Sequence, residues 1–496
     1  MKTTRPYRVA IVGGGFSGAT AAVQLVRRSD MPVAVCIFEP RESLGRGLAY
    51  SSDDPDHRLN GVLDGHVLDP EDPYEFERWW HERVGDRDAE AFAPNGSVFA
   101  RRSDFGAFLG SALADYRTAN AVGSTIRHVR QSVRGVDSGD DRPVVRTGDG
   151  CEHPADMVVL ATGNAMPEPA ALFSRAGGDP AGIVVSPYDD IALRSIAPTA
   201  KVLVVGSGLT ALDILTTLLR AGHETPIDVV SRRGLRPHPN RLTSEVSPRS
   251  EPHLISLIDG PLPPYLADFS PSVRWLTRRL RLEIRRSIQN GATWHEPFDA
   301  LRNVVWKVWP QLPPSEQRRF LRRLRSWYDV HRFRAPPQND VFVRAAEAEG
   351  TVRFRAARVS AVQVREKQLE VELIEPATGT ASKTRYDAVV NCTGLDPASG
   401  AKGNPLLETL LARGTLTVDA SGTGFAVDAR CRPIAASGEA ASRLYAIGPP
   451  TTGTFGDPLG SIFIAAQVQR LVPLWIEEAR RHSGPLRTPH AIGARD

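Results

Sequence analysis

Two glycine-rich turns constrain this chain more than any other feature: "VAIVGGGFSG" at Val9–Gly18 and "VVGSGLTALD" at Val204–Asp213. Each follows a short β-branched apolar run, as expected of a buried parallel strand, and each opens a helical pattern. A Gly-x-Gly-x-x-Gly/Ala turn at that junction brings backbone amides and a helix N-terminus to a pyrophosphate. In the first turn Gly13 permits the tight bend, Gly15 lets the backbone approach the phosphates, and Gly18 lets the helix pack against the strand. The next strand, "VAVCIFE", ends in Glu39, 21 residues after Gly18, where an acid accepts hydrogen bonds from ribose hydroxyls. In the second turn Gly206, Gly208 and Ala211 fill the three positions, and the strand after it, "IDVVSRRG", ends in Ser231-Arg232-Arg233. A carboxylate there would repel a 2′-phosphate. Two guanidiniums pair with one, each charge-assisted bond contributing about 1.5–3 kcal/mol. The second site therefore reads as NADP(H), with a merely solvated arginine pair as the alternative.

A length of 496 residues suggests about two to four domains. The formal charge of +4 is small for that size and gives no argument for nucleic acid. The four cysteines, Cys36, Cys151, Cys392 and Cys431, form no C-x-x-C pair and no zinc-like spacing, which argues against disulfide exchange and against a metal. Few, scattered cysteines fit a reducing cytosol, so a cytoplasmic location is expected. The apolar runs at "YRVAIVGGGFSGATAAVQLV" and Val202–Leu219 are broken by glycines or Asp213, and neither reads as a signal peptide or a membrane span.

The sequence also repeats itself. "ADMVVLATGN" at Ala155–Asn164 and "YDAVVNCTGL" at Tyr386–Leu395 are apolar strands ending in Thr-Gly, each preceded by a strand-rich meander. The expected architecture is α/β, with two Rossmann-like dinucleotide-binding domains and a helical insertion. Residues 1–165 and 391–496 form one discontinuous domain. Residues 186–390 form the second, interrupted at 234–337. A Pro/Gly-bearing linker from Met166 to Asp190 joins them, and the tail after Gly484 is loose.

The chain resembles the two-dinucleotide-binding flavoproteins: flavin monooxygenases, N-hydroxylases and pyridine-nucleotide reductases. In "GRGLAYSSDDPDHRLNGVLDGHVLDPEDPYEFERWW", "VFARRSDFGAFL", "GSGLTALD" and "YDVHRFRAPP" it is more closely similar to the YdhS-like FAD/NAD(P)-binding proteins. The resemblance implies FAD in the first site, with Arg46, Thr162, Gly163 and Gly448 joining Gly13, Gly15, Gly18 and Glu39 around it. It implies a nicotinamide cofactor in the second. Gly448-Pro449 replaces the Gly-Asp common near the last strand of the wider superfamily, so backbone amides near "TTGTFGD" are expected to take over that contact.

Two dinucleotides in one chain imply hydride flow from NADPH to FAD, with dioxygen as the onward acceptor. The resemblance places Asn60 beside the flavin ring, with His57 and Arg58 as weaker candidates. The Baeyer–Villiger signature is missing, which favours N-hydroxylation of a small, anionic nitrogen nucleophile such as aspartate. A reductase serving a quinone, imine or protein acceptor is the rival enzyme, and a non-catalytic FAD-binding redox sensor is the rival of another class. Residues 234–337 hold eighteen basic and nine acidic residues. That surplus is either a solvated face or a cap selecting an anionic substrate through His331, Arg332 and Arg334, guanidinium forks being suited to carboxylates. A small-molecule substrate, no nucleic acid, no membrane and a possible homo-oligomer complete the expectation.

Overall fold

Short, fully apolar strands alternating with helical patterns can bury both faces only in a parallel sheet covered on each side, and two such sheets form. The computed structural model describes residues 5–118, 122–137, 142–164, 173, 179, 182–241, 253–393, 401, 403–457 and 460–482. Most of the expected linker and the tail after Gly484 lie outside these. The strands are β1 (Tyr7–Val12), β2 (Val33–Phe38), β3 (Thr125–Val129), β4 (Val133–Asp137), β5 (Val144–Thr147), β6 (Glu152–Pro154), β7 (Met157–Leu160), β8 (Val184–Val185) and β9 (Val202–Val205). They continue with β10 (Ile227–Ser231), β11 (Val352–Ala356), β12 (Arg358–Arg365), β13 (Gln368–Ile374), β14 (Ala381–Tyr386), β15 (Ala388–Asn391) and β16 (Leu444–Ala446).

The first parallel sheet has the order β16-β7-β1-β2-β3, the second β11-β10-β9-β15-β8. Reversing the second superimposes their logic. β1 and β9 lead into the glycine turns, β7 and β15 carry the Thr-Gly segments, and antiparallel meanders (β4–β6 and β12–β14) precede them. β7, β9 and β15 are buried at every residue, whereas β13 alternates along its length, as a one-faced meander must. The two sheets differ in their last strand. β16 returns from residue 444, whereas β8 precedes its own glycine turn.

The helical insertion lies between β10 and β11. The stretch "SVRWLTRRLRLEIRRSIQ" forms one helix over Val273–Gln289. Trp275, Leu276 and Leu280 pack on Leu266, Leu301, Val304 and Val308, while Leu282 stays 40% exposed. "SEQRRFLRRLRSWYDVHRFR" forms two helices, Pro314–Arg323 and Arg325–Arg332, parted at Leu324. Proline opens both the first of these and the later Pro337–Ala348 helix, where its fixed φ and missing N–H cost nothing.

The sheets are clasped through the Leu209–Arg220 helix that follows the second glycine turn. Thr217 Oγ1 donates to Asp54 Oδ2 at 2.7 Å and lies 3.1 Å from His57 Nε2, and all three residues are buried. Arg102 pairs with buried Asp213 at 2.7 Å, and Arg220 reaches Asp56 at 3.0 Å and Glu90 at 3.1 Å. A buried carboxylate stripped of its donor bears a desolvation cost of about 1–3 kcal/mol. Thr217→Val is therefore expected to destabilise the protein by about that amount without changing side-chain volume. Urea unfolding measures it, and an unchanged midpoint would refute the clasp.

Candidate functional site

The first glycine turn is built by exclusion. Gly13 has φ +108°, and a Cβ on it would lie 2.3 Å from the Ala161 carbonyl oxygen at the end of β7. A Cβ on Gly18 would meet the Gly13 carbonyl at 2.0 Å. Gly15 faces Gly47, whose Cα would be 3.2 Å from an added Cβ, so two glycines from separate segments lie back to back. Gly45 N–H donates to the Gly14 carbonyl at 2.7 Å and holds that second segment in place. The helix Phe16–Arg28 starts at Gly15 with no side-chain cap and no acid in its first turn, which leaves its N-terminal amides and positive dipole end to a ligand anion. Glu39 is buried. Its Oε2 accepts from Gly14 N–H at 3.0 Å and its Oε1 from Arg41 N–H at 3.1 Å. Each oxygen keeps a further lone pair free to accept.

The second turn repeats this construction. Gly206 has φ +107° and backs onto the Cys392 carbonyl, 2.1 Å from an added Cβ, just as Gly13 backs onto Ala161. The helix Leu209–Arg220 again starts at an uncapped glycine, Gly208, with open space on its Cα, and Ala211 is buried where the helix meets the sheet. Ser231 ends β10. Arg232 and Arg233 follow it, both exposed; Arg233 donates to the Arg323 carbonyl at 3.0 Å, and Arg232 is in no ion pair among the described residues.

One cavity of about 1620 Å³ runs between these features. Gly13, Gly15, Glu39, Arg46, Asn60, Thr162 and Gly163 line it, and so do Leu209 and Thr210 at the start of the second turn's helix. Thr162 Oγ1 is buried against it with no hydrogen-bond partner among the described residues, a donor and acceptor left for a ligand. Arg46 forms an exposed pair with Asp53 at 3.3 Å. Gly448 stands beside the cavity, at φ +71° with its N–H given to Gln467 Oε1 at 2.8 Å, and the neighbouring Pro449 lines it. His57 is held by Ser52 and Thr217. Arg58, 2% exposed, is forked onto Asp88 at 3.0 and 3.1 Å and does not line the cavity.

The insertion closes the far wall. Arg334 makes a two-point pair with Asp299 at 2.6 and 3.1 Å, and its Nε is given to the His331 carbonyl. His331 lies behind the wall, stacked on Phe298 with its Nδ1 2.7 Å from the Trp327 carbonyl. Arg332 lines the cavity and pairs with Asp457 at 2.7 Å.

Sequence reasoning missed several groups in and behind the cavity wall. Arg302 and Asp457 lie more than 100 residues apart and meet through Arg332 and Asp299, which no local pattern reports. Gly45 and Gly47 flank Arg46, and that pair of glycines was the available signal for a close backbone approach. Asp64 and His66 lie a few residues from Asn60. Burial, then the Glu77 carboxylate, pushes the Asp64 carboxyl up to about 6, and its Oδ1 has no partner among the described residues. Burial pushes the His66 imidazole down to about 4, so it is neutral at pH 7; its Nδ1 lies 3.0 Å from the Val62 carbonyl, which sets the Nδ1–H tautomer. Among the described residues no cluster of His, Cys, Asp and Glu is arranged to hold a metal, and no helix is long and apolar enough to cross a membrane.

Residues 10–165 match the FAD-NAD(P)-binding family model. The ornithine N-hydroxylase of Kutzneria sp. 744, solved with reduced FAD, NADP+ and L-ornithine, is similar at TM-score 0.62 and 18% identity, over 96% of this chain and 100% of that one. The ornithine hydroxylase of Pseudomonas aeruginosa in its reduced form is similar at TM-score 0.61 and 16% identity, with the same coverage. The FAD-bound cadaverine monooxygenase of Erwinia amylovora is similar at 0.59 and 14%, over 99% of each chain. A sequence comparison with curated proteins finds no match. The architecture is thus that of proteins binding FAD and NADP in two Rossmann-like units, and the first unit is an FAD/NAD(P)-binding domain. A YdhS-like kinship, expected from the motifs, goes beyond what these likenesses carry.

Gly13→Ala is expected to give folded protein without flavin absorbance, because the added methyl collides with a carbonyl that belongs to the sheet. Retention of stoichiometric flavin would rule out this placement of the turn. Asp64→Asn tests the electrostatics. The folded-state pKa lies above the unfolded one, so the wild type loses stability as pH rises from about 4 to about 6. The variant is expected to match wild type below about pH 4 and to melt at a higher temperature above about pH 6. Parallel melting curves across that range would contradict the raised pKa.

Proposed function

We propose that this chain is an FAD-dependent, NADPH-consuming monooxygenase that hydroxylates the nitrogen of a small, carboxylate-bearing molecule, an acidic amino acid such as aspartate being the most concrete candidate. The observation that carries the reading is the single cavity reaching from the first glycine turn to the start of the second turn's helix and on to an arginine wall. A cofactor on each turn and a substrate at the wall would share one continuous space.

The residues present fit both dinucleotides. Gly13 and Gly15, with the free amides at the start of the Phe16–Arg28 helix, would hold the FAD pyrophosphate, Glu39 the ribose, and Thr162 and Gly163 the inner part of the flavin. Gly206, Gly208 and Ala211 would hold the NADP pyrophosphate, with Ser231, Arg232 and Arg233 on the 2′-phosphate. When bound, FAD would supply an acceptor for the hydride of NADPH and a route for those electrons to dioxygen.

The chain's own task is to orient and to keep water out. Leu59, Val98, Phe99 and Ile464 are buried apolar lining that dries the cavity. Asn60 lines it with a side chain that is both donor and acceptor; its carbonyl is tied to Asn240 Nδ2 at 3.1 Å, which fixes the loop. A nitrogen nucleophile reacts only as the free base. Asp64 Oδ1, an unpartnered acceptor on the same loop, is suited to hold an ammonium and draw off its proton.

Purified protein is expected to be yellow, to bleach with NADPH under anaerobic conditions, and to consume oxygen faster when substrate is added, releasing little hydrogen peroxide. Rapid mixing of reduced enzyme with oxygenated buffer should give a transient absorbing to the blue of oxidised flavin. Undiminished anaerobic turnover with an added quinone, and no substrate-stimulated oxygen uptake, would assign a reductase instead. Replacing Arg232 and Arg233 together by Ala is expected to raise the KM for NADPH by about tenfold or more while sparing NADH. Equal losses would show that the 2′-phosphate is not read there.

A further inference from the structure

Three guanidiniums meet at the insertion end of the cavity, those of Arg302, Arg332 and Arg334, and all three line it. Two carboxylates answer them. Asp299 takes both terminal nitrogens of Arg334 and one of Arg302, at 3.1 Å. Asp457 takes Arg332 Nε at 2.7 Å and the Tyr328 hydroxyl at 3.4 Å. Two further carboxylates are already paired: Asp329 with Arg325 at 2.6 Å, and Glu296 with Arg241 and Thr293. One positive charge is left over in a buried place, where an uncompensated ion is costly.

The surplus is shared by Arg302 and Arg332, and Asp457 keeps its Oδ1 unpartnered among the described residues beside them. The Arg332 side chain is 9% exposed, yet its Nη2 has no hydrogen-bond partner among the described residues. Its guanidinium lies over the Phe463 ring, 5.0 Å from the centroid, and Arg302 lies over the same ring at 5.9 Å, so one aromatic ring holds both forks. Gly460 leaves the room they need: a Cβ there would come within 3.2 Å of Nη2. Burial, opposed by Asp299 but aided by Arg332 and Arg334, pushes the Arg302 guanidinium down to about 10, whereas Asp457 and Tyr328 outweigh burial and hold the Arg332 guanidinium above its ordinary value.

We propose that Arg332 and Arg302 form a carboxylate-binding subsite at the insertion end of the cavity, and that this subsite selects substrates bearing a carboxylate. It deepens the monooxygenase reading above and rests on it for the word substrate, but the subsite itself is a statement about anion binding. A single surplus charge matches a monoanion, and a planar fork matches a carboxylate. Arg334, already closed on Asp299, holds the wall and takes no part in the ligand contact.

The test is equilibrium calorimetry on oxidised, flavin-loaded protein saturated with NADP+, so that both glycine turns are filled, with acetate, L-aspartate, inorganic phosphate and cadaverine as probes. Acetate and L-aspartate are expected to compete for one site, phosphate to bind at least about tenfold more weakly, and cadaverine to leave acetate binding untouched. Arg332→Met should weaken L-aspartate at least about tenfold, equivalent to about 1.4 kcal/mol, with flavin content unchanged. Asp457→Asn should tighten it, because the carboxylate competing for Arg332 is neutralised. A merely structural pair would lose affinity in both variants. Gly460→Ala, which crowds Nη2 without altering charge, should weaken binding and serves if Asp457→Asn does not fold. The proposal is overturned if wild type binds neither carboxylate, if Arg332→Met binds as wild type does, if Asp457→Asn and Arg332→Met weaken alike, or if phosphate binds as tightly as L-aspartate. Acetate binding without substrate-stimulated oxygen uptake keeps the subsite and loses the monooxygenase, and the converse loses the subsite alone.

Discussion

Two glycines set against two carbonyls hold the arrangement together. Gly13 on Ala161 and Gly206 on Cys392 are the points where a chain leaving one strand must turn within van der Waals reach of the next strand's end. Only a residue with no Cβ, and with φ near +107°, satisfies both the bend and the contact. The turn in each case delivers an uncapped helix N-terminus to the same rim of its sheet. From that geometry follow the cavity between the rims and the electrostatic preference for two anionic ligands within it.

The rims stay in register because the Leu209–Arg220 helix serves both halves of the molecule. Its buried side packs on the second sheet, and its other side carries Asp213, Thr217 and Arg220 to Arg102, Asp54, His57 and Asp56 of the first. A helix that starts at one nucleotide turn and is bolted to the loop behind the other couples their separation to side-chain hydrogen bonds. The insertion adds a third fixed wall: Trp309 donates to the Gly453 carbonyl at 2.7 Å, and Arg332 pairs with Asp457.

Much of this was legible in the sequence, because its signals are local. Glycine spacing, apolar strands and the twin Thr-Gly segments report backbone constraints that act over about ten residues, and the two sheets follow from them. What lay hidden was assembled over distance. The partner of Gly15 is Gly47, the restraint on His57 is Thr217, and the counter-ion of Arg332 is Asp457. His331 and Arg334 share a motif with Arg332, yet the helix turns His331 onto Phe298, and Arg334, past the helix end, closes on Asp299. Residue type named three candidates, and only the packing of other elements around them told their environments apart. Asp64 carried no sequence signal at all, since its raised pKa comes from burial.

The ending of the first sheet has a consequence in time. All five strands of the second sheet lie between Val184 and Asn391 and leave the ribosome as one continuous run, so that unit has its full hydrogen-bonded framework well before synthesis ends. The first sheet, begun at Tyr7, keeps the open edge of β7 until Leu444–Ala446 emerges to pair with it. The sheet whose first strand is made earlier is thus the one completed later, and its unpaired β7 edge is a liability until Leu444–Ala446 is made.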